Sequence, residues 1–240
     1  MDFKIIHIDE TDSTNRWLRD SSTVPGVCVV ADYQTAGKGC GSNSWESERG
    51  KNLLFSMLIH PEKLSANRQF LVSMAMANSI AKVVSKYVKD VSIKWPNDIY
   101  VGDRKICGIL IENRLQGSVI KDSILGVGLN VNQLRFVSDA PNPVSLANLT
   151  GRIFDTEVLL QQLLEAFAEE WADLEGVRSR YLAQLYRRTG FHRYRDGLGE
   201  FFAELMTVED DGHLILRNTD GYDHRYGFKE VQFMIEELKN

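Results

Sequence analysis

In the stretch SILGVGLNVN, Ser123 to Asn132, the side chains alternate without a break. Leu125, Val127, Leu129 and Val131 fall on one face of a strand, and Gly126, Gly128, Asn130 and Asn132 on the other. One face is core, and the opposite one has been stripped of bulk. Glycine inside a strand costs stability and is tolerated where another backbone or a ligand comes close. Apolar, β-branched runs mark FKIIHID, GVCVVADYQ, LLFSMLIH, VSIKW, DIYV and KICGILIEN as further strands. Gly102-Asp103 between DIYV and RKICGILIE is a tight-turn signal that pairs those two as a hairpin.

Elsewhere the period lengthens. Phe70, Met74, Ala77, Ala81, Val84 and Val88 predict one long helix from Ser65 onward, packed on the sheet. Asp12 or Ser13 caps a shorter helix over STNRWLRDSS. After a loop with Pro141 and Pro143, Leu160, Leu163, Phe167, Trp171 and Leu174 predict a long amphipathic helix, capped by Asp155 or Thr156 and broken near Gly176. Beyond RRTG come short strands, EFFAELMTV, HLILRN and RYGFKEVQFMI, separated by the turns EDDG and NTDG. The chain therefore reads as α+β: a mixed sheet packed with helices over residues 1–187, then a small β domain over residues 188–240.

Composition narrows the function classes. With 43% hydrophobic and 25% charged residues the chain is an ordinary soluble globular protein. A net charge of −5 argues against a general binder of nucleic acid or membrane surfaces, though not against a local basic pocket. Cys28, Cys40 and Cys107 form no close pairing pattern, which fits a reducing compartment. No stretch approaches the ~18 apolar residues of a membrane span, and the charged N-terminus is not a signal peptide. A cytoplasmic location is expected.

Three stretches carry candidate chemistry. In GKGCGS, glycines at 37, 39 and 41 allow backbone amides to approach an anion, with Lys38 adding charge; a flexible surface loop explains the spacing equally well. In KWPND, Pro96 ends a strand and leaves Asn97 and Asp98 at its mouth, an amide for a ligand and a carboxylate for a hydrated magnesium ion, or simply a turn. Lys94 alternates with Ile93 and Trp95 and points away from them. Lys105 opens an otherwise apolar strand, either as a snorkelling edge residue or as a fixed charge aimed at an anionic substrate. In STN, Ser13 to Asn15, two hydroxyls and an amide make either a helix cap or a polar cradle. No Ser-His-Asp or Cys-His constellation suggests a covalent nucleophile.

Taken in order, STN, then YQTAGKG with a following tryptophan and NLLFS, then KWPND, K-x-x-G-I-L-I-E and G-x-G-x-N, the chain resembles biotin–protein ligases over nearly its whole length. The resemblance implies a class II synthetase-like catalytic domain followed by a small SH3-like β domain. It implies adenylation of biotin by MgATP and transfer to a lysine on the acceptor domain of a biotin-dependent carboxylase. By the same resemblance Ser13, Thr14, Asn15 and Gln34 surround the biotin ring, and Lys38, Gly39 and Cys40 belong to a loop closing over biotin and its adenylate. Trp45, Lys94, Asn97 and Asn130 lie near the nucleotide. Lys105 stands beside the reacting carboxylate and α-phosphate, Gly108 approaches the ligand with its backbone, and Asp98 is the candidate for magnesium. The expected partners are small molecules and that acceptor domain, not DNA or membrane, with the protein a monomer or weak homodimer.

Two departures from the family pattern stand out. Where relatives often carry several arginines in the glycine loop, this chain has Lys38, Cys40, Ser42 and Asn43, so weaker retention of the adenylate is expected. The chain also begins almost directly at the first catalytic strand, so repressor activity is not expected. The competing readings are a lipoate or octanoate ligase of the same fold, a non-catalytic biotin-sensing module, and a structural interaction protein; the last leaves the glycine-bearing face unexplained.

Overall fold

The computed structural model describes residues 2–21, 23–41, 43–137 and 142–235. Ser42 and Pro141, both invoked above, lie outside the described residues. The chain forms β1 (Lys4–Thr11), α1 (Thr14–Asp20), β2 (Val27–Gln34), β3 (Leu53–Ile59), α2 (Phe70–Val84), β4 (Val91–Lys94), β5 (Asp98–Val101), β6 (Arg104–Gln116) and β7 (Val119–Leu129). There follow α3 (Leu146–Thr150), α4 (Thr156–Ala172), α5 (Leu174–Ala183), β8 (Phe191–Asp196), β9 (Gly199–Val208), β10 (Leu214–Asn218), β11 (Asp223–Tyr226) and β12 (Gln232–Phe233).

A seven-stranded mixed sheet runs in the order β1-β2-β3-β7-β6-β5-β4, with β1 and β2 parallel and every other neighbouring pair antiparallel. Helices α2, α4 and α5 cover one face, and Leu125, Val127 and Leu129 point into that buried cluster. On the other face α1 packs across β2, β3 and β7 through Leu18, Val29, Leu58 and Ile124. It covers only part of the sheet. Beyond its N-terminus Gly126 and Gly128 of β7 lie opposite Leu110 and Gly108 of β6, so two glycines face each other directly across the ladder. The one-sided stripping of β7 is thus completed by its neighbour.

The second sheet, β11-β10-β9-β8-β12, is antiparallel throughout. Its buried residues Tyr194, Ala203, Leu205 and Leu214 belong to the same continuous cluster as the main core. Polar ties reinforce the joint: Trp95 Nε1 donates to Gly212 O at 2.9 Å, and Arg178 reaches Val208 O at 3.1 Å and Thr207 Oγ1 at 3.0 Å.

Several boundaries differ from the sequence reading. The long helix expected from Ser65 starts as a 3-10 turn at Ala66–Arg68, and its α-helical part runs only from Phe70 to Val84. The break expected near Gly176 falls at Asp173, which ends α4 and caps α5 by accepting from Gly176 N at 3.3 Å; an acidic cap, not the glycine, sets the corner. Asp155 caps α4 as expected. Ser13 holds the cap position of α1, yet its hydroxyl makes no cap bond. Strand β8 was not anticipated, and RYGFKEVQFMI is not one strand but β11 and β12 separated by a turn.

Candidate active site

A cavity of about 940 Å³ opens on the bare part of the main sheet. Its floor includes Gly108, Gly126 and Gly128. Ser13, Thr14, Asn15, Gln34, Lys38, Gly39, Cys40, Trp45, Lys94, Asn97, Asp98, Lys105 and Asn130 all line it, so the structure brings together every site residue expected from the sequence. They arrive from four segments: the start of α1, the loop after β2, the β4–β5–β6 hairpins and the end of β7.

At one end Ser13, Thr14 and Asn15 are buried. Gln34 Oε1 accepts from Thr14 N at 2.8 Å and from Thr14 Oγ1 at 3.1 Å. Ser56 Oγ lies 2.7 Å from Thr14 Oγ1 and 2.6 Å from Asn15 Oδ1. The Asn15 amide is committed within the protein: Nδ2 donates to Glu112 Oε2 at 2.8 Å and to Leu110 O at 3.3 Å. Arg19 holds the same carboxylate at 2.7 Å. Asn15 is therefore a brace for the hydroxyl end of the cavity, whereas the Ser13 hydroxyl is not spent on capping. Gly126 is a packing necessity here, since a Cβ on it would overlap Asn15 Oδ1.

In the middle stands Lys105, its ammonium 2.6 Å from Asp98 Oδ1 and 5.5 Å from the centre of the Trp45 ring. The register places Asp98 opposite Gly108, whose missing side chain leaves room for the Lys105 stem and for the edge of the Trp45 ring. Lys94 lies alongside, 4.9 Å from the Phe233 ring and 5.4 Å from that of Tyr100. Burial holds its pKa below the ordinary lysine value, with Asp98 opposing and Lys105 and Arg187 reinforcing. Asp98, the candidate for magnesium, already carries a lysine. A lone paired carboxylate fits an ion that arrives on nucleotide phosphates rather than one caged by protein alone. Among the described residues the one cluster of three potential metal ligands, Glu209, Asp211 and His213, lies in the turn between β9 and β10 and is engaged by Arg225.

The glycine loop is folded back on itself. Gly39 N donates to Asn43 O at 2.8 Å and Trp45 N to Gly37 O at 2.9 Å. The Trp45 indole is laid flat over Gly108 and Gly128, where any Cβ on Gly128 would overlap it. Asn97 Nδ2 donates to Ile109 O, and Asn130 Nδ2 to Val144 O at 3.1 Å. Two side-chain atoms in this region, Trp45 Nε1 and Asn130 Oδ1, are buried with no partner. An unsatisfied buried polar atom costs about 1–3 kcal/mol, so a partner reaching either atom through the cavity would be favoured.

Cys40 sits half-buried in the cavity wall. Burial raises its thiol pKa, against the lowering effect of the Lys229 charge. Cys28 and Cys107 are fully buried; burial pushes the Cys28 thiol up to about 12 and that of Cys107 higher still.

The sequence reading missed one wall. Phe228, Lys229, Val231, Gln232 and Phe233, from the turn after β11 and from β12, close the cavity on the side of the second sheet. Only tertiary packing brings them there.

Residues 6–130 match the biotin/lipoate A/B protein ligase family. The chain is 37% identical to the bifunctional ligase/repressor BirA of Salmonella typhimurium over 85% of its own length and 67% of that protein. It is 28% identical to the biotin–[acetyl-CoA-carboxylase] ligase of Paracoccus denitrificans, over 88% and 93%. Its fold matches the biotin protein ligase from Aquifex aeolicus in complex with biotin and ATP, with a TM-score of 0.80 at 22% identity, over 96% of this chain and 99% of the other.

Proposed function

Since the chain belongs to the biotin/lipoate A/B protein ligase family, we propose that it adenylates biotin with ATP and passes the biotinyl group to a lysine on the acceptor domain of a biotin-dependent carboxylase. The observation that carries this reading is the Lys105 ammonium, paired with Asp98 beside Gly108, in one cavity with the Ser13 and Thr14 hydroxyls and the unpartnered Asn130 oxygen. The ureido ring of biotin is a small neutral donor and acceptor that suits Ser13, Thr14 and Gln34. Asn130 Oδ1 suits an exocyclic amino group of a nucleobase, and the Trp45 indole a flat ring.

The chemistry follows from charge. A carboxylate oxygen must attack the α-phosphorus while pyrophosphate leaves, and two unit anions about 4 Å apart repel by about 4 kcal/mol at an effective dielectric of about 20. Lys105 offsets that repulsion where it arises, and Asp98 holds its ammonium in place rather than leaving it to swing. Asp98 would be the residue nearest to hold a magnesium ion arriving with the nucleotide, which would supply further screening of the phosphates. In the second step the acceptor amine attacks the acyl carbon and AMP departs, so no nucleophile is required from the protein. In this reading residues 1–187 carry both ligands and residues 188–240 add the wall.

Purified protein with MgATP, a carboxylase biotin domain, and biotin or lipoate supplied in turn tests the proposal by mass spectrometry. The expected result is a biotin-sized mass gain on the acceptor that falls by at least about 100-fold in rate in Lys105→Ala. Transfer of lipoate in place of biotin would move the assignment to the sister ligase, and binding without AMP release would make the protein a sensor.

A further inference from the structure

The glycine loop offers a single cation, Lys38, yet the cavity holds another that comes from the opposite side. We propose that Lys229, carried on the turn between β11 and β12, is a substrate-binding residue that supplies to the nucleotide phosphate the positive charge the glycine loop lacks. The proposal rests on the nucleotide-binding reading above.

Several observations point to it. Lys229 has φ +68°, the left-handed region that a lysine enters only at a cost and that clusters at functional sites. Reciprocal hydrogen bonds pin the turn in that shape: Gly227 N donates to Glu230 Oε2 at 2.5 Å, and Glu230 N to Gly227 O at 3.2 Å. The side chain is thereby thrown back across the cavity mouth onto Gly41, where a Cβ would overlap the ammonium. There Lys229 lines the same cavity as Lys38, Lys94 and Lys105. Among the described residues it makes no ion pair, and its ammonium lies 5.7 Å from the centre of the Phe228 ring, an arrangement that leaves its donors free for an anion. Its charge reaches the wall of the cavity, since it opposes the burial that raises the Cys40 thiol. The retention expected to be weak from the loop sequence is thus shared between two segments far apart in the chain.

Lys229→Gly is the discriminating variant, because glycine takes the left-handed backbone without strain. Titration calorimetry of MgATP into the full-length protein should show binding weakened about tenfold in Lys229→Gly and restored to within about threefold in Lys229→Arg. The affinity for biotin alone should stay within about twofold, and the melting temperature should hold or rise. Unchanged ATP affinity in Lys229→Gly would overturn the proposal. So would a parallel fall in ATP affinity, biotin affinity and melting temperature, which would make the residue structural. A wild-type protein that binds ATP yet transfers no biotin would defeat the ligase reading while leaving the titration to judge Lys229; a wild-type protein that binds no ATP would defeat both.

Discussion

Adding one methyl group at Gly126 should be costly, and the structure says how. A Cβ there overlaps Asn15 Oδ1, and the amide cannot retreat because Ser56 holds its oxygen at 2.6 Å while Glu112 and Leu110 hold its nitrogen. Gly126→Ala must therefore break the buried Ser56 bond, worth about 1 kcal/mol, and the charge-assisted bond to Glu112, worth about 1.5–3 kcal/mol. The Glu112 side chain is 36% exposed and keeps Arg19, so the low end applies to the second. The total is about 2.5 kcal/mol, and at about 2–4 °C per kcal/mol for a chain of this size the melting temperature should fall by about 5–10 °C. Scanning calorimetry on the ligand-free protein measures it, with Gly197→Ala as control because a Cβ there meets nothing. If the wedge is real, Asn15→Ala relieves it, and the double variant should be no less stable than Asn15→Ala alone. A melting temperature within about 2 °C of wild type for Gly126→Ala, or full additivity in the double variant, would refute the argument.

The neighbouring position behaves differently. Gly128→Ala displaces only the Trp45 indole, whose Nε1 has no partner to lose, so stability should change by less than about 1 kcal/mol while ATP binding, followed by calorimetry, weakens. Lys94→Met keeps the bulk beside Phe233 and Tyr100 but removes a charge that burial disfavours, so the ligand-free protein should melt higher and bind ATP more weakly. The sign of its pH dependence is fixed: the folded pKa lies below the unfolded value near 10.5, so the wild type gains stability as pH rises through that window. The melting advantage of Lys94→Met should therefore shrink between neutral pH and pH 10.

What could be read from the sequence had local causes. Period two with glycine on one face of β7 predicted a bare floor, and Gly102-Asp103 predicted the β5–β6 hairpin; both depend on nearest neighbours. Strand β8 escaped because FHRYRD turns only Tyr194 into the core, while Arg193 and Arg195 on its outer face pair with Glu200 and obscure the alternation. The division of labour within STN was equally invisible. Whether Asn15 faces a ligand or braces the wall depends on Glu112 and Ser56, which lie 97 and 41 residues away in the chain. Asn97 and Asn130 likewise looked alike, yet of the two it is Asn130 whose oxygen is buried without a partner. The wall at Phe228–Phe233 follows from how the second sheet docks on the first, and no spacing within it announces that contact.

The unequal burial of the three thiols has a practical side. With Cys28 and Cys107 sealed in the core, an alkylating dye has one address on the native protein, at the mouth of the cavity. Because burial raises the Cys40 thiol as well, labelling should quicken in mildly alkaline buffer. The untouched natural chain thus carries its own attachment point for a fluorophore, and any molecule that fills the cavity can be recognised by the protection it gives that single sulfur.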